Sequence, residues 1–280
     1  MSILVGFVVG VLAVRLCARA GRDLLRTPAL GRVNHRGRTV PTAMGVLVVV
    51  AVVVVEAGRS LFGAFGVGNA PGAAPRFAVL LACVGFGLLG LFDDLVGSNH
   101  DQGFRGHLRA LVSQGRITTG LVKIVCGSAL AVVVVSAGRP GGSGARLVSD
   151  ALLVALAANL TNLLDRAPGR AIKVGLLAWV PFALIARADS VGVAVAPVVG
   201  AFAGLIGDDL HERLMLGDAG SNVIGAVLGL GVVLECGPLT RTVVLSVLGA
   251  LTLASELVSF GRVIERVPPL RRLDELGRGA

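Results

Sequence analysis

The sequence predicts an all-α polytopic membrane protein with about nine transmembrane helices, N-terminus outside and C-terminus cytoplasmic. Three observations lead there. Hydrophobic residues make up 54% of the 280 and mean hydropathy is +0.84, far too apolar for an ordinary soluble domain. Apolar runs recur at roughly 20 residues, the length that crosses a bilayer. The charges collect in the gaps between those runs. A membrane β-barrel would show short alternating segments instead.

The helices are expected at roughly 2–19, 41–57, 76–96, 117–137, 147–164, 171–187, 191–207, 220–236 and 241–260. In the first, no positive charge precedes the apolar core, and Arg15, Arg19 and Arg22 follow it. That order fits an uncleaved first span rather than a signal peptide. The third carries Gly85, Gly87 and Gly90, which allow close helix packing. Connections at 58–75 and 138–145 are rich in Gly, Pro and Ser and read as loops on the face away from the chemistry. With the N-terminus outside, 20 of the 26 lysines and arginines fall on the cytoplasmic side, as the positive-inside rule requires. One transmembrane domain is expected over 1–260, with a basic cytoplasmic tail over 261–280.

The net charge of +9 is spread over these gaps and forms no soluble basic module. It reads as topology and attraction to anionic lipid, and nucleic acid is not an expected partner. The four cysteines, Cys17, Cys83, Cys126 and Cys236, lie in or beside apolar runs without metal-ligand spacing, and read as small buried hydrophobes. There is no Tyr and one Trp, Trp179, so an aromatic belt is nearly absent.

Four polar blocks interrupt the apolar pattern. The first is GLLGLFDDLVG, Gly87 to Gly97. Adjacent carboxylates repel unless a cation or shared proton relieves them, and an acid at a membrane helix end is costly. Asp93 and Asp94 also stand at a helix C-terminus, where the dipole favours cations. Function therefore outweighs a simple cap. In ANLTNLLDRAPGR, Asn159, Asn162 and Asp165 recur every three residues and share a helix face. Such a face suits a uracil or ribose, though a polar helix end before a turn explains it equally well. In ERLMLGDAGSNVIGAVLG, the stretch Gly217 to Ser221 opens a helix. Backbone N–H groups there can meet an anion, while Asp218 can equally be an N-cap. The basic loop NHRGRTVPTAMG carries Arg36 and Arg38. Guanidinium groups clamp phosphates, and His35 sits between them and Asn34. Positive-inside charge alone accounts for this loop too. Asp208-Asp209 is a second acidic pair of lesser weight.

Together and in this order, the blocks resemble the polyprenyl-phosphate N-acetylhexosamine-1-phosphate transferases, the family of the phospho-MurNAc-pentapeptide translocases and GlcNAc-1-phosphate transferases. The resemblance runs from about Arg32 to about Ser221. Asp93-Asp94 matches its Asp-Asp motif, NLTNLLD its NxxNLxD motif and MLGDAGS its GD(T/S)GS motif. GRTVPTAMG looks like its basic PTxGG loop, placing Arg38, Pro41 and Gly45. The resemblance implies attack of a polyprenyl phosphate on the β-phosphorus of a UDP-N-acetyl sugar, giving polyprenyl-diphosphate-sugar and UMP. It implies Mg²⁺, or Mn²⁺, on Asp218 and Asp94, with Asp93, Asp94 and Asp218 catalytic. Arg36, Arg38, Asn159, Asn162, Asp165 and Ser221 would bind substrate. It further implies the inner cell membrane, an active site facing the cytoplasm, a role in cell-wall biogenesis and a homodimer.

Family members carry a histidine-rich motif in the last cytoplasmic loop. Here that region reads GRVIERVPPLRRLDELGRGA, without histidine, and Arg271 and Arg272 are the substitutes expected to meet substrate. Two other readings stay open. A catalytically silent relative would bind lipid phosphate or UDP-sugar as a scaffold or regulator. An ion-coupled transporter would use the acids as a proton relay, but transporters place them nearer the midplane.

Overall fold

The computed structural model describes residues 2–21, 23, 27–34, 36–67, 73–97, 118–187 and 189–278. His35 and most of the expected 97–123 loop lie outside the described residues.

The nine expected helices are all present. They are α1 (Ile3–Ala20), α2 (Gly45–Ala64), α3 (Ala73–Val96), α4 (Thr119–Gly138), α5 (Gly144–Leu164), α6 (Arg170–Ala186), α7 (Ser190–Leu210), α8 (Asp218–Glu235) and α9 (Pro238–Leu257). Eight are long and apolar enough to cross a membrane; α6, with 17 residues, is the shorter ninth. Serine and threonine start three of them. Ser2, Thr118 and Ser143 each accept a backbone N–H from the first turn of α1, α4 and α5, filling donors that a helix start leaves open. Two short helices close the chain, α10 (Phe260–Arg266) and α11 (Pro268–Glu275), so the expected tail is structured through this region.

The second helix starts four residues later than the sequence indicates. Residues around Pro41 instead form a two-stranded antiparallel hairpin, β1 (Gly31–Val33) and β2 (Thr39–Pro41). The Asn34 carboxamide oxygen accepts the backbone N–H groups of Arg36 and Arg38, at 3.0 and 2.9 Å. Gly37, at φ +73°, supplies the left-handed residue the turn needs. Backbone bonds from Met215 to Pro41, Met44 to Met215 and Gly45 to Leu216 then stitch this hairpin to the strip before α8.

The bundle is organised around α7 and α8, its most buried helices. Helix α7 packs on α1, and α8 sits between α3 and α5. These contacts are backbone to backbone. A Cβ on Gly200 would lie 2.0 Å from the Phe7 carbonyl oxygen, and one on Gly10 would lie 2.0 Å from that of Pro197. Without water to drive association, membrane helices rely on such close van der Waals contact. Phe7 also stacks on Trp179 of α6, ring centroids 5.0 Å apart. Helix α9 is the least buried of the spans, packing on α5 through one side with Leu239, Leu253 and Leu257 outward, as expected where lipid is the solvent.

Successive helices alternate in direction, so the polar blocks gather at one end. The opposite end holds buried ion pairs. Glu56 binds Arg76 through Nε and Nη2, at 2.9 and 2.7 Å, and Arg59 at 2.5 Å. Asp150 binds Arg241 at 2.6 Å. The Arg59–Glu56–Arg76 cluster ties the C-terminal half of α2 to the start of α3, and α2 runs on to Ala64, well into the expected 58–75 loop.

Gly200→Leu should lower stability in detergent by about 1–3 kcal/mol through overpacking. Gly249→Ala, at a helical glycine with open space around it, should be neutral or stabilising by roughly 0.5–1 kcal/mol. Thermal unfolding of both variants checks the pair.

Candidate active site

The site is built where helix ends converge. Helix α3 ends in Asp93-Asp94, α8 begins at Asp218, α5 ends beside Asp165, and α4 begins near Lys123. The glycines explain how they come so close. A Cβ on Gly90 would sit 2.2 Å from the Asp218 carbonyl oxygen, and one on Gly45 2.0 Å from the Gly220 nitrogen. Gly217 precedes Asp218 at φ +69°, and a side chain there would strike Asp94 and Ala43.

The cap of α8 comes from another helix. Its N-cap residue, Gly217, has no side chain to offer. The two carboxylate oxygens of Asp94 instead accept the backbone N–H groups of Asp218 and Ala219, both at 3.0 Å. An acid that opposes the dipole of its own helix thus sits on the positive end of the next. The Asp94 carbonyl accepts from Arg32 Nη2 at 2.7 Å, tying the hairpin to the same point.

Asp218 is held on both oxygens. Asn162 donates to Oδ1 at 2.7 Å and also to the Ser221 hydroxyl at 3.1 Å. Lys123 binds Oδ2 of Asp218 and lies 3.5 Å from Oδ2 of Asp93. The Asp93 carboxyl is within hydrogen-bonding reach of that of Asp218 and of Thr119. Ser221, fully buried, passes its hydroxyl to the Gly217 carbonyl at 3.1 Å, and its own carbonyl takes the Thr161 hydroxyl at 2.7 Å.

Asp165 closes α5 and lies within electrostatic reach of Asp209, Asp218 and Asp94, with Arg170 the nearby cation. Burial, reinforced by those carboxylates, pushes its pKa well above the usual aspartate range. Asp209 accepts the Gly169 N–H at 2.9 Å and is buried, so the second half of the minor acidic pair braces the turn after Asp165. Asp208 stays at the edge, 3.5 Å from both Arg15 and Arg213.

The structure thus brings together Asp93, Asp94, Asn162, Asp165, Asp218 and Ser221. Asn159 is exposed on the same helix. Arg36 pairs with Glu212 at 3.0 Å, and Glu212 also takes the Asn34 amide at 2.5 Å. Arg38 is exposed on the hairpin. Arg271 pairs with Glu275 on the outer face of α11, 3.2 Å apart, and Arg272 is exposed. Lys123 is the residue that sequence reasoning missed. In the sequence it falls among the cytoplasmic charges, although one of just two lysines in an arginine-rich chain is itself a signal.

Fold and site define a polytopic α-helical membrane protein with a lysine-bridged aspartate cluster at one end of its bundle. A phospho-N-acetylmuramoyl-pentapeptide-transferase of Desulforamulus reducens is 29% identical over 303 aligned residues, covering 99% of this chain and 86% of the relative. That similarity supports the polyprenyl-phosphate hexosamine-1-phosphate transferase family, as does the order of the four motifs. No family model matches the chain.

Asp94→Ala should destabilise the protein by about 2–4 kcal/mol, since two charge-assisted bonds to a helix start are lost. Asp94→Asn, with one acceptor oxygen, should fall between; thermal unfolding reads both. The raised pKa of Asp165 makes a second prediction. The folded chain holds that proton more tightly than the unfolded one, so the stabilisation is full in acid and is lost as pH rises through the raised value. Asp165→Asn, neutral at every pH, should raise the melting temperature in alkaline buffer and change little in acid. An equal shift at both ends of the pH range would detach Asp165 from the carboxylate cluster.

Proposed function

We propose that this chain transfers a sugar-1-phosphate from a UDP-N-acetyl sugar to polyprenyl phosphate at the cytoplasmic face of the cell membrane, in cell-envelope glycan synthesis. The observation that carries the reading is the Asp93–Lys123–Asp218 bridge, at the convergence of α3, α4 and α8. Whole-length similarity to a transferase supports it. The 20-to-6 bias in basic residues supports the orientation.

In the proposed reaction an oxygen of the lipid phosphate forms a bond to the β-phosphorus. The bond from that phosphorus to the bridging oxygen breaks, and UMP leaves. Phosphoryl transfer asks a protein mainly for positioning and charge. The donor set suits a hard divalent cation. Carboxylate oxygens predominate, and the Lys123 ammonium already stands among them as a positive charge. Among the described residues no three His, Cys, Asp or Glu side chains form an ion cage. Mg²⁺ commonly takes one or two carboxylates and completes its shell with phosphate and water. Asp218 would hold it, with Asp93 or Asp94 beside it. A divalent cation held there would supply charge to offset the diphosphate and the leaving UMP.

The chain's own groups supply the rest. Asn162 fixes the Asp218 carboxylate through one oxygen. Lys123 is placed to turn from Asp218 to an arriving phosphate. Asp93, on the other side of that ammonium, is placed to orient the lipid phosphate or accept its proton. Asp165 and Asn159 face the uridine and ribose, and Arg36 and Arg38 border the phosphate path from the hairpin.

The test is UMP release from UDP-sugars by purified protein with undecaprenyl phosphate and Mg²⁺. Asp218→Asn should lose at least about a hundredfold in rate while inserting and folding. Full turnover by that variant removes Asp218 from the chemistry. A folded wild-type chain that releases no UMP from any donor moves the weight to a silent, ligand-binding relative.

A further inference from the structure

Among the described residues, the side-chain hydrogen bonds and ion pairs from the C-terminal helix to the rest of the bundle go to the turn after Asp165 and the first turn of α6. Arg170 forms a fork on Asp274, Nε to Oδ1 and Nη2 to Oδ2, both at 2.8 Å. Arg278 lies 2.8 Å from the same carboxylate and donates through Nε to the Pro168 carbonyl at 3.0 Å. Lys173 donates to the carbonyls of Leu273 and Leu276, at 3.1 and 3.2 Å, and to that of Asp274. One ammonium therefore satisfies three carbonyls at the end of α11, where unpaired acceptors and dipole both favour a cation. Both side chains of the Arg170–Asp274 fork are over nine-tenths buried.

The turn has no comparable support of its own. It runs from Asp165 to Arg170 with Gly169 at φ +71°. Its internal backbone bonds are Arg166 to Leu164 and Arg170 to Ala167. From the membrane side Asp209 takes the Gly169 N–H. From the other side, among the described residues, its side-chain bonds come from the tail, Arg278 to the Pro168 carbonyl and Asp274 to Arg170. Arg170 also lies within electrostatic reach of Asp165, so the carboxylate that anchors Arg170 governs the charge facing Asp165.

We propose that α11 is a clamp that positions the Asp165–Arg170 turn for the uridine nucleotide, with Asp274 and Arg278 as positioning residues. This rests on the transferase reading above. It assigns the tail a role through Asp274 and Arg278, which act behind the turn, rather than through Arg271 and Arg272, which point outward. A shift of about 1 Å in a positioning element can cost on the order of a hundredfold.

The experiment uses the full-length protein in detergent. UDP-sugar and lipid KM values, kcat and UMP affinity are compared for wild type, Asp274→Ala, Asp274→Glu, Arg278→Ala, and Arg271→Ala with Arg272→Ala. The clamp requires a 10- to 100-fold rise in UDP-sugar KM for Asp274→Ala and Arg278→Ala. The lipid KM should stay unchanged, UMP affinity should fall in parallel, and Asp274→Glu should recover part of both. A merely structural loss would lower the active fraction, hence kcat, and leave KM alone; that result overturns the clamp. So does an unchanged nucleotide KM in Arg278→Ala. A raised KM confined to the Arg271/Arg272 variant also overturns it, because the tail would then act by direct contact. A wild-type chain that neither turns over nor binds UMP sinks the transferase reading itself, a failure distinct from that of the clamp.

Discussion

Two hydrogen bonds to one carboxylate organise this end of the protein. Asp94 accepts the first two N–H groups of α8, so the C-terminus of α3 and the N-terminus of α8 become one joint. Everything near Asp218 inherits its position from that joint. The hairpin reaches it through Arg32, and the strip before α8 is sewn to the hairpin by backbone bonds. A helix start leaves backbone donors without intrahelical partners. Filling them with a carboxylate from a neighbour answers that need and fixes two helices against each other at once.

Such a joint is open only to a chain with glycine at the crossing points. Gly90, Gly217, Gly220 and Gly45 bring backbones nearer than any side chain would permit. The carboxylates then stand close enough to share Lys123 and Asn162. Crowding like charges in this way is unfavourable alone. The ammonium, the amide and the backbone donors offset it, and the result is a compact polar cluster at the end of an apolar bundle.

The helices were legible because apolar runs of bilayer length admit few alternatives. Their polar ends were legible for the same reason, since Asp93, Asp94, Asn162 and Asp218 contrast with everything around them. What stayed hidden depends on contacts distant in sequence. Lys123 meets Asp218 across 95 residues, and only its rarity as a lysine, not its neighbours in sequence, sets it apart. The spacing of Asn159, Asn162 and Asp165 gave a shared face but not its depth; Asn162 is bonded inside and Asn159 is exposed. The three-residue strands around Asn34 are too short for an alternating pattern to show. In the tail the paired arginines drew notice as charge, whereas Asp274 does the fastening, and only the position of Arg170 reveals it.

The stack of Phe7 on Trp179 has a practical side. The chain contains no tyrosine and a single tryptophan, so ultraviolet emission excited at the indole band comes from one ring. That ring lies at the seam of α1 and α6, with its Nε1 buried and without a hydrogen-bond partner among the described residues. Intrinsic fluorescence of this protein is therefore a single-site optical gauge, reporting parting or wetting of that seam without any attached label.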